Sequence, residues 1–501
     1  MTQKAQRQKP PSDWAAREAL REKGQFWTPQ WVAEAMIAYC LAGDAESLFD
    51  PAVGAGAFFI AAKAMAQKKR RQVNLFGAEL DRDALRQAEC NGLSARDLER
   101  VVIGDFVLRP PNRSFPSIVA NPPYIRHHRL SSSTKESLRA LGAELIGKEL
   151  DGRAGLHIYF LLRALRLLSD NGRLAFIVPA DTCEGVFART LWQWITSRYR
   201  LDAVVTFTPK ASPFPNVDTN PIILLIRNAI PEAHILWAQC RRAGSETLRE
   251  WIEADFDLVS TDALTIHRRD LQEGLDSGLS RPPSERSNAG IPLAAFARVM
   301  RGIATGANEF FFLTRRRATE LKIPAEMLLP AIGRTRDAKT EEITQDTLRQ
   351  LETAGRPTLL FAPDGRELDD FPEAARDYLR EGRDAELYKR PLIATRRPWY
   401  KTEIRKAPPF LFAYLGRRNA RFIRNLAGVM PLTSFLCVYP HRDDADSIDM
   451  LWQALKHPDT VRNLALVGKS YGAGAIKVEP RALERLPIPA HVVAELNLTP
   501  T

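Results

Sequence analysis

Four short apolar runs ahead of Tyr124 each stop on a polar or acidic side chain. They are Ser47-Leu48-Phe49 ending in Asp50, Val73 to Ala78 ending in Glu79, Val101 to Gly104 ending in Asp105, and Ser117 to Ala120 ending in Asn121. Runs of this length, with helical spacing after the first of them, call for an open, mostly parallel α/β sheet. Ligands of such a sheet bind at the carboxyl ends of its strands. A single acidic strand end is as easily a solvated turn, but four in succession describe a site.

The first run enters Pro51-Ala52-Val53-Gly54-Ala55-Gly56, and a helix follows. Strand, glycine turn and helix start form the layout of a nucleotide-type site, with glycines letting the backbone approach the ligand. The loop lacks Gly-Lys-Ser/Thr, so it is no P-loop. Asp50 would repel a pyrophosphate and favour a cationic or amine-bearing ligand. Glu79 lies about twenty residues beyond the glycines, where a carboxylate accepts from ribose hydroxyls. Asp105 and Phe106 offer an acceptor for an adenine amino group beside an aromatic wall.

Asn121-Pro122-Pro123-Tyr124 is rigid and rich in acceptors. Asn121 precedes proline and is pushed towards an extended conformation, while two prolines remove two N–H donors. The Asn121 side-chain oxygen and the Pro122 carbonyl, next to the Tyr124 ring, suit a planar group carrying an NH2. Upstream, Thr28-Pro29 reads as an N-cap with proline at the first helical position, opening a helix through Cys40.

Further on, residues near 155–168 read as a helix and 172–179 as a buried strand. Residues 201–207 and 220–227 form a strand pair around a loop in which Phe214 lies between two prolines, as a plug or a second stacking face. His127-His128 has no further ligands nearby, so no metal site is expected. The back half mixes arginines with aromatics and amides at Arg301, Thr305, Asn308, Arg396, Arg397, Trp399, Arg417 and Arg418. These types read base edges and grip phosphates, or form an ordinary basic surface.

Net charge of +11 favours a polyanionic partner. The five cysteines are scattered without C-x-x-C spacing, which fits a reducing cytoplasm. The basic start lacks an apolar core, and no run nears the roughly 18 apolar residues of a membrane span. Length suggests several domains: a basic arm over 1–22, a strand-and-helix domain over 23–230, a connecting segment over 231–290 and a final domain over 291–501.

Together, Phe26-Trp27-Thr28-Pro29, the Asp50 to Gly56 loop, Glu79, Asp105-Phe106 and Asn121-Pro122-Pro123-Tyr124 resemble the gamma-group N6-adenine DNA methyltransferases of restriction–modification type. The back half resembles their target-recognition domain through Thr305 to Phe310, Arg397-Pro398-Trp399-Tyr400 and Leu486-Pro487-Ile488-Pro489. The resemblance implies a seven-stranded, mostly parallel Rossmann-like sheet followed by an α+β DNA-reading domain. It implies S-adenosylmethionine bound by Thr28, Asp50, Ala52, Gly54, Gly56, Glu79, Asp105 and Phe106, with Asn121, Pro122 and Tyr124 catalytic. Pro123 and Phe214 would touch a flipped adenine, and the back-half residues double-stranded DNA. It also implies a restriction endonuclease or other defence component as partner, and a cytoplasmic, nucleoid-associated protein. RNA or protein-glutamine methylation through the same loop, or an inactive DNA-binding relative, are the alternatives. Val53 and Ala55 replace a frequent cysteine and serine, and His157 falls near a position often acidic in relatives.

Overall fold

The computed structural model describes residues 27–500 except 126, 185–186, 215–218, 258, 284–289, 414–419, 468 and 472–474. The basic arm, Phe26, Arg417 and Arg418 therefore lie outside the described residues. The chain divides into two compact units, the first up to Pro283 and the second from residue 284, apart from 471–474, which belong to the first.

Nine strands of the first unit form one sheet. They are β1 (Ser47–Asp50), β2 (Asn74–Glu79), β3 (Val101–Ile103), β4 (Phe115–Ala120), β5 (Leu168–Pro179), β6 (Arg200–Phe207), β7 (Pro221–Arg227), β8 (His234–Cys240) and β9 (Leu264–Asp270). Their order is β3-β2-β1-β4-β5-β7-β6-β8-β9. From β3 to β5 every neighbour is parallel, and β7 inserts antiparallel between β5 and β6. The chain runs outward one way from β1 to β3 and the other way from β4. The switch point thus lies between β1 and β4, paired through Phe49 and Ile118, where an open α/β sheet leaves its ligand crevice.

The sheet exceeds the seven expected strands, and residues 231–290 are not a connecting segment. β8 pairs parallel with β6, and β9 pairs antiparallel with β8. Their signal is weak for a physical reason. β9 is an edge strand reading Leu-Thr-Ile-His-Arg-Arg-Asp, and charge on an edge guards against further pairing. The inner strands are buried on both faces: Ile118 and Ala120 enter one core, Val119 the other, and Leu174 and Phe176 alternate likewise with Ala175 and Ile177.

Helix α1 (Gln30–Cys40) packs across β4 and β5 with Val32, Ala33 and every residue from Ala35 to Cys40 buried. Its end is fastened to β4. The Ser117 hydroxyl donates to the Cys40 carbonyl at 2.6 Å, and the Cys40 thiol donates to the Ile118 carbonyl at 3.2 Å. Helix α2 (Ala57–Lys68) follows the glycine loop, and helix α3 (Leu156–Arg166) precedes β5.

The second unit is α+β. One five-stranded sheet joins Ala297–Arg301, Phe435–Pro440, Phe410–Ala413, Arg421–Asn425 and Glu342–Ile343. A four-stranded sheet joins Phe312–Leu313, Leu359–Phe361, Leu328–Ile332 and Met430–Pro431. No helix among the described residues is long and apolar enough to cross a membrane.

Candidate active site

The glycine loop turns tightly between β1 and α2. Gly54 and Gly56 have φ of 54° and 82°, and a Cβ on Gly56 would stand 2.4 Å from Leu93 Cδ1. Val53 is buried beneath the loop. A Cβ on Gly77 of β2 would meet Val53 Cγ2 at 2.3 Å and the Asp50 carbonyl at 3.1 Å, so bare backbone at Gly77 seats the loop. The departure at Val53 is thus a packing position.

Asp50 is fully buried. Its Oδ1 accepts from the Ala52 N–H at 2.9 Å, while Oδ2 is buried with no hydrogen-bond partner among the described residues. Burial pushes this carboxyl up to about 8; the Ala52 N–H opposes the shift and the Glu79 charge adds to it. An uncompensated carboxylate at a switch point fits a cationic ligand, which would hold it ionised.

Glu79 closes the loop from the end of β2. Oε2 accepts from Gly54 N–H at 2.7 Å, and Oε1 from the N–H groups of Leu80 and Asp81 at 2.8 and 2.9 Å. Its carboxylate therefore orders the glycine loop as well as facing the crevice. Leu80, the next residue, is 72 % exposed, an apolar side chain beside the Glu79 strand end. Asp105 Oδ1 accepts from the Val107 and Leu108 N–H groups at 2.9 and 3.1 Å, forming the turn after β3. Phe106 differs from the expected open wall. It packs on Phe49 and Phe160 at 5.6 and 5.4 Å between ring centroids, and only 2 % is exposed. Its bulk belongs to the core.

Thr28 also differs from expectation. Pro29, not Thr28, is the N-cap of α1, and no side chain caps that helix. The Thr28 hydroxyl instead accepts from Asn121 Nδ2 at 3.1 Å, across 93 residues of sequence. With the amide nitrogen on the Thr28 side, Oδ1 turns the other way. The Tyr124 hydroxyl donates to the Ile177 carbonyl at 3.0 Å, so its ring is anchored to β5. Phe214 stands edge-on to Tyr124, with centroids 6.5 Å apart and planes at 74°. His157, from the first turn of α3, lies edge-on to Tyr124 at 6.1 Å and 70°. The structure thus gathers Thr28, Asp50, Asn121, Tyr124, Phe214 and, unforeseen in this role, His157 in one unit.

The back-half candidates separate. Thr305 is buried, its hydroxyl donating to Asn308 Oδ1 at 2.5 Å. Arg396 donates to the carbonyls of Ala304 and Thr305 at 2.6 and 2.9 Å and lies over the Phe311 ring, a brace rather than a reader. Trp399 packs on Phe310, Phe311 and Tyr400. Arg301, Asn308 and Arg397 are at the surface, Arg301 paired with Glu479. One group among the described residues, His457, Asp459 and His491, gathers metal-type ligand atoms within 4.8 Å. His457 Nδ1 already accepts from the Asp459 N–H, and the Asp459 carboxylate serves Arg462 and His491, which makes it a helix cap and ion pair.

The mostly parallel sheet, with its switch point at Asp50 and Asn121, is the Rossmann-like fold of the class I methyltransferases, whose members imply S-adenosylmethionine as cofactor. Residues 12–243 match the N-6 DNA Methylase family, and residues 284–499 match the family described as Type II methyltransferase M.Eco57I, C-terminal domain. The chain is 26% identical to Type II methyltransferase M.AccI of Acinetobacter calcoaceticus over 474 residues, covering 93% of this chain and 85% of that one. It is 26% identical to Type II methyltransferase M.XamI of Xanthomonas campestris pv. amaranthicola over 488 residues, with the same coverage. The Type IIL restriction-modification enzyme MmeI, solved in complex with DNA, superposes with a TM-score of 0.57 at 12% identity. That match covers 93% of this chain but 64% of MmeI, and it supports the fold alone. The chain belongs to the N6-adenine DNA methyltransferases of restriction–modification systems.

Proposed function

We propose that the chain transfers the methyl group of S-adenosylmethionine to N6 of an adenine flipped out of a specific sequence in double-stranded DNA. The Asn121 amide carries this reading, clamped by Thr28 at the switch point and beside the Tyr124 ring. The order of parts (cofactor loop, Asn-Pro-Pro-Tyr, then DNA-reading region) is that of the gamma group.

When bound, the cofactor supplies an electrophilic methyl group on a sulfonium. Asp50, with its buried Oδ2, would hold the cationic methionine end near the Ala52, Gly54 and Gly56 backbone. Glu79 would accept ribose hydroxyls on lone pairs its backbone donors leave, Leu80 would cover the adenine face, and Asp105 would accept the adenine amino group.

Adenine N6 is a poor nucleophile because its lone pair is delocalised into the ring, and in a duplex it is stacked and paired. The base must therefore be flipped out. Asn121 Oδ1 and the Pro122 carbonyl would each accept one N6 hydrogen, turning N6 towards tetrahedral geometry with its lone pair on the methyl. Positive charge grows on N6 during transfer, so fixed acceptors favour the transition state over the ground state. Tyr124 stacks on the base, with Pro123 stiffening its approach. Phe214 would supply the second wall by turning from its edge-on position. Arg301, Asn308 and Arg397 are candidate contacts to double-stranded DNA, with Arg417 and Arg418. A separate restriction endonuclease or other defence-system component would be its partner.

The test offers duplex DNA, ribosomal RNA and protein to the enzyme with tritiated cofactor. Label is expected in duplex DNA as N6-methyladenine; label in RNA or protein and not in DNA refutes the reading. Modification-sensitive sequencing of DNA from expressing cells then gives the recognition sequence.

A further inference from the structure

His157 is a buried base with nothing to bond among the described residues. Only 5 % of it is exposed, and neither Nδ1 nor Nε2 has a hydrogen-bond partner there. A buried polar atom left without a partner costs about 1–3 kcal/mol, and here two share one ring against the target loop. The ring is tightly seated. A Cβ on Gly155 would meet its Cε1 and Nδ1 at 2.8 and 2.9 Å, and would meet the Ile125 carbonyl at 3.1 Å. That carbonyl accepts from the Leu156 N–H at 3.0 Å, tying the helix bearing His157 to the strand end bearing Tyr124.

The ring meets Tyr124 edge-on. Its Nε2 is 4.0 Å from Oδ1 of Asp181, in the turn after β5, whose side chain is 61% exposed. Burial lowers the pKa of His157 and Asp181 raises it, leaving a neutral imidazole able to take a proton. Tyr124, its other polar neighbour, is held protonated by burial and by the Asp181 charge.

Resting on adenine methylation as the reaction, we propose that His157 and Asp181 form the exit path for the proton that N6 must lose. The N6 lone pair forms the new bond to the methyl carbon, and the sulfonium carbon–sulfur bond breaks with its electrons on sulfur. Positive charge grows on N6 as the methyl moves, and in the same step one N6–H bond breaks, its electrons returning to N6, while the proton passes through one water to the imidazole. Asp181 stabilises the imidazolium and passes the proton to solvent. Asn121 and Pro122 are acceptors of hydrogen bonds, not bases, so they leave this task open.

The test is single-turnover methyl transfer to a duplex carrying the modified sequence, from pH 5.5 to 8.5, for wild type, His157→Gln and Asp181→Asn. Wild type is expected to slow below an inflection under the ordinary histidine value of about 6.5. Asp181→Asn removes the carboxylate that raises the imidazole pKa, so its inflection moves to lower pH. His157→Gln loses the inflection and slows on the order of 100-fold; calorimetric affinity for S-adenosylhomocysteine is unchanged in both. A wild-type inflection persisting in His157→Gln, or unmoved in Asp181→Asn, overturns the proposal. Asp181 is a surface side chain, so its variant carries the test if His157→Gln fails to fold. If wild type labels no adenine in DNA, the reaction itself was misassigned.

Discussion

Thr28→Val separates two roles for the residue before α1, because valine keeps the shape and removes the hydroxyl. If Thr28 orients Asn121, the variant loses one partly buried hydrogen bond of 3.1 Å between neutral groups. Such a bond contributes about 0.5–1.5 kcal/mol net. The amide is then free to turn its NH2 towards the substrate nitrogen, where a donor repels the N6 hydrogens. At 1.36 kcal/mol per tenfold, the single-turnover rate should fall about two- to tenfold. Truncating the acceptor itself in Asn121→Ala should cost about 10²–10³-fold, the range for one preorganised hydrogen-bonding group in a transition state. Quench-flow transfer from tritiated cofactor to duplex DNA gives both rates, and equilibrium titration gives cofactor affinity. Thr28→Val with a wild-type rate and a tenfold weaker cofactor Kd would refute the orienting role. A loss as deep as that of Asn121→Ala would also refute it, since one neutral bond cannot carry that much.

Other consequences are as direct. A carboxyl whose folded pKa is raised to about 8 binds more protons folded than unfolded, so cofactor-free stability should fall as pH rises from about 4 to 8. Asp50→Asn should flatten that slope, on the order of 5 kcal/mol at full burial, in thermal melts, while weakening cofactor binding most above pH 8. Gly77→Ala should cost about 1–3 kcal/mol in denaturant melts because its Cβ would overlap Val53 Cγ2. Adding Val53→Ala should recover part of it, and strict additivity would contradict the packing account. Arg397→Ala and Arg301→Ala should each reduce the slope of log affinity for duplex DNA against log salt by about 1. Arg396→Met should lower Tm without that change, since its donors face carbonyls within its own unit.

The strand ends were legible because each is a local pattern. An apolar run stops on Asp50, Glu79, Asp105 or Asn121, and a parallel sheet must gather those ends on one edge. What stayed hidden depends on partners distant in sequence. Thr28-Pro29 has the form of a helix cap, and nothing local reveals that Asn121 claims its hydroxyl. Phe106 beside an acidic strand end looks like a ligand wall until Phe49 and Phe160 close on it. Arg396, Arg397 and Trp399 share one composition, but Arg396 and Trp399 hold the second unit together while Arg397 faces water. The same contrast explains β9: this edge strand keeps charge on an open side, and charge erases the periodicity by which inner strands are read. His157 is the sharpest case. In sequence it is a lone histidine on an apolar helix, the ordinary mark of a core residue; only its bare ring nitrogens and the Tyr124 and Asp181 beside them give it chemistry. Residue types therefore fix the class of reaction here, whereas the direction in which protons and hydrogen bonds run is set by contacts between distant parts of the chain.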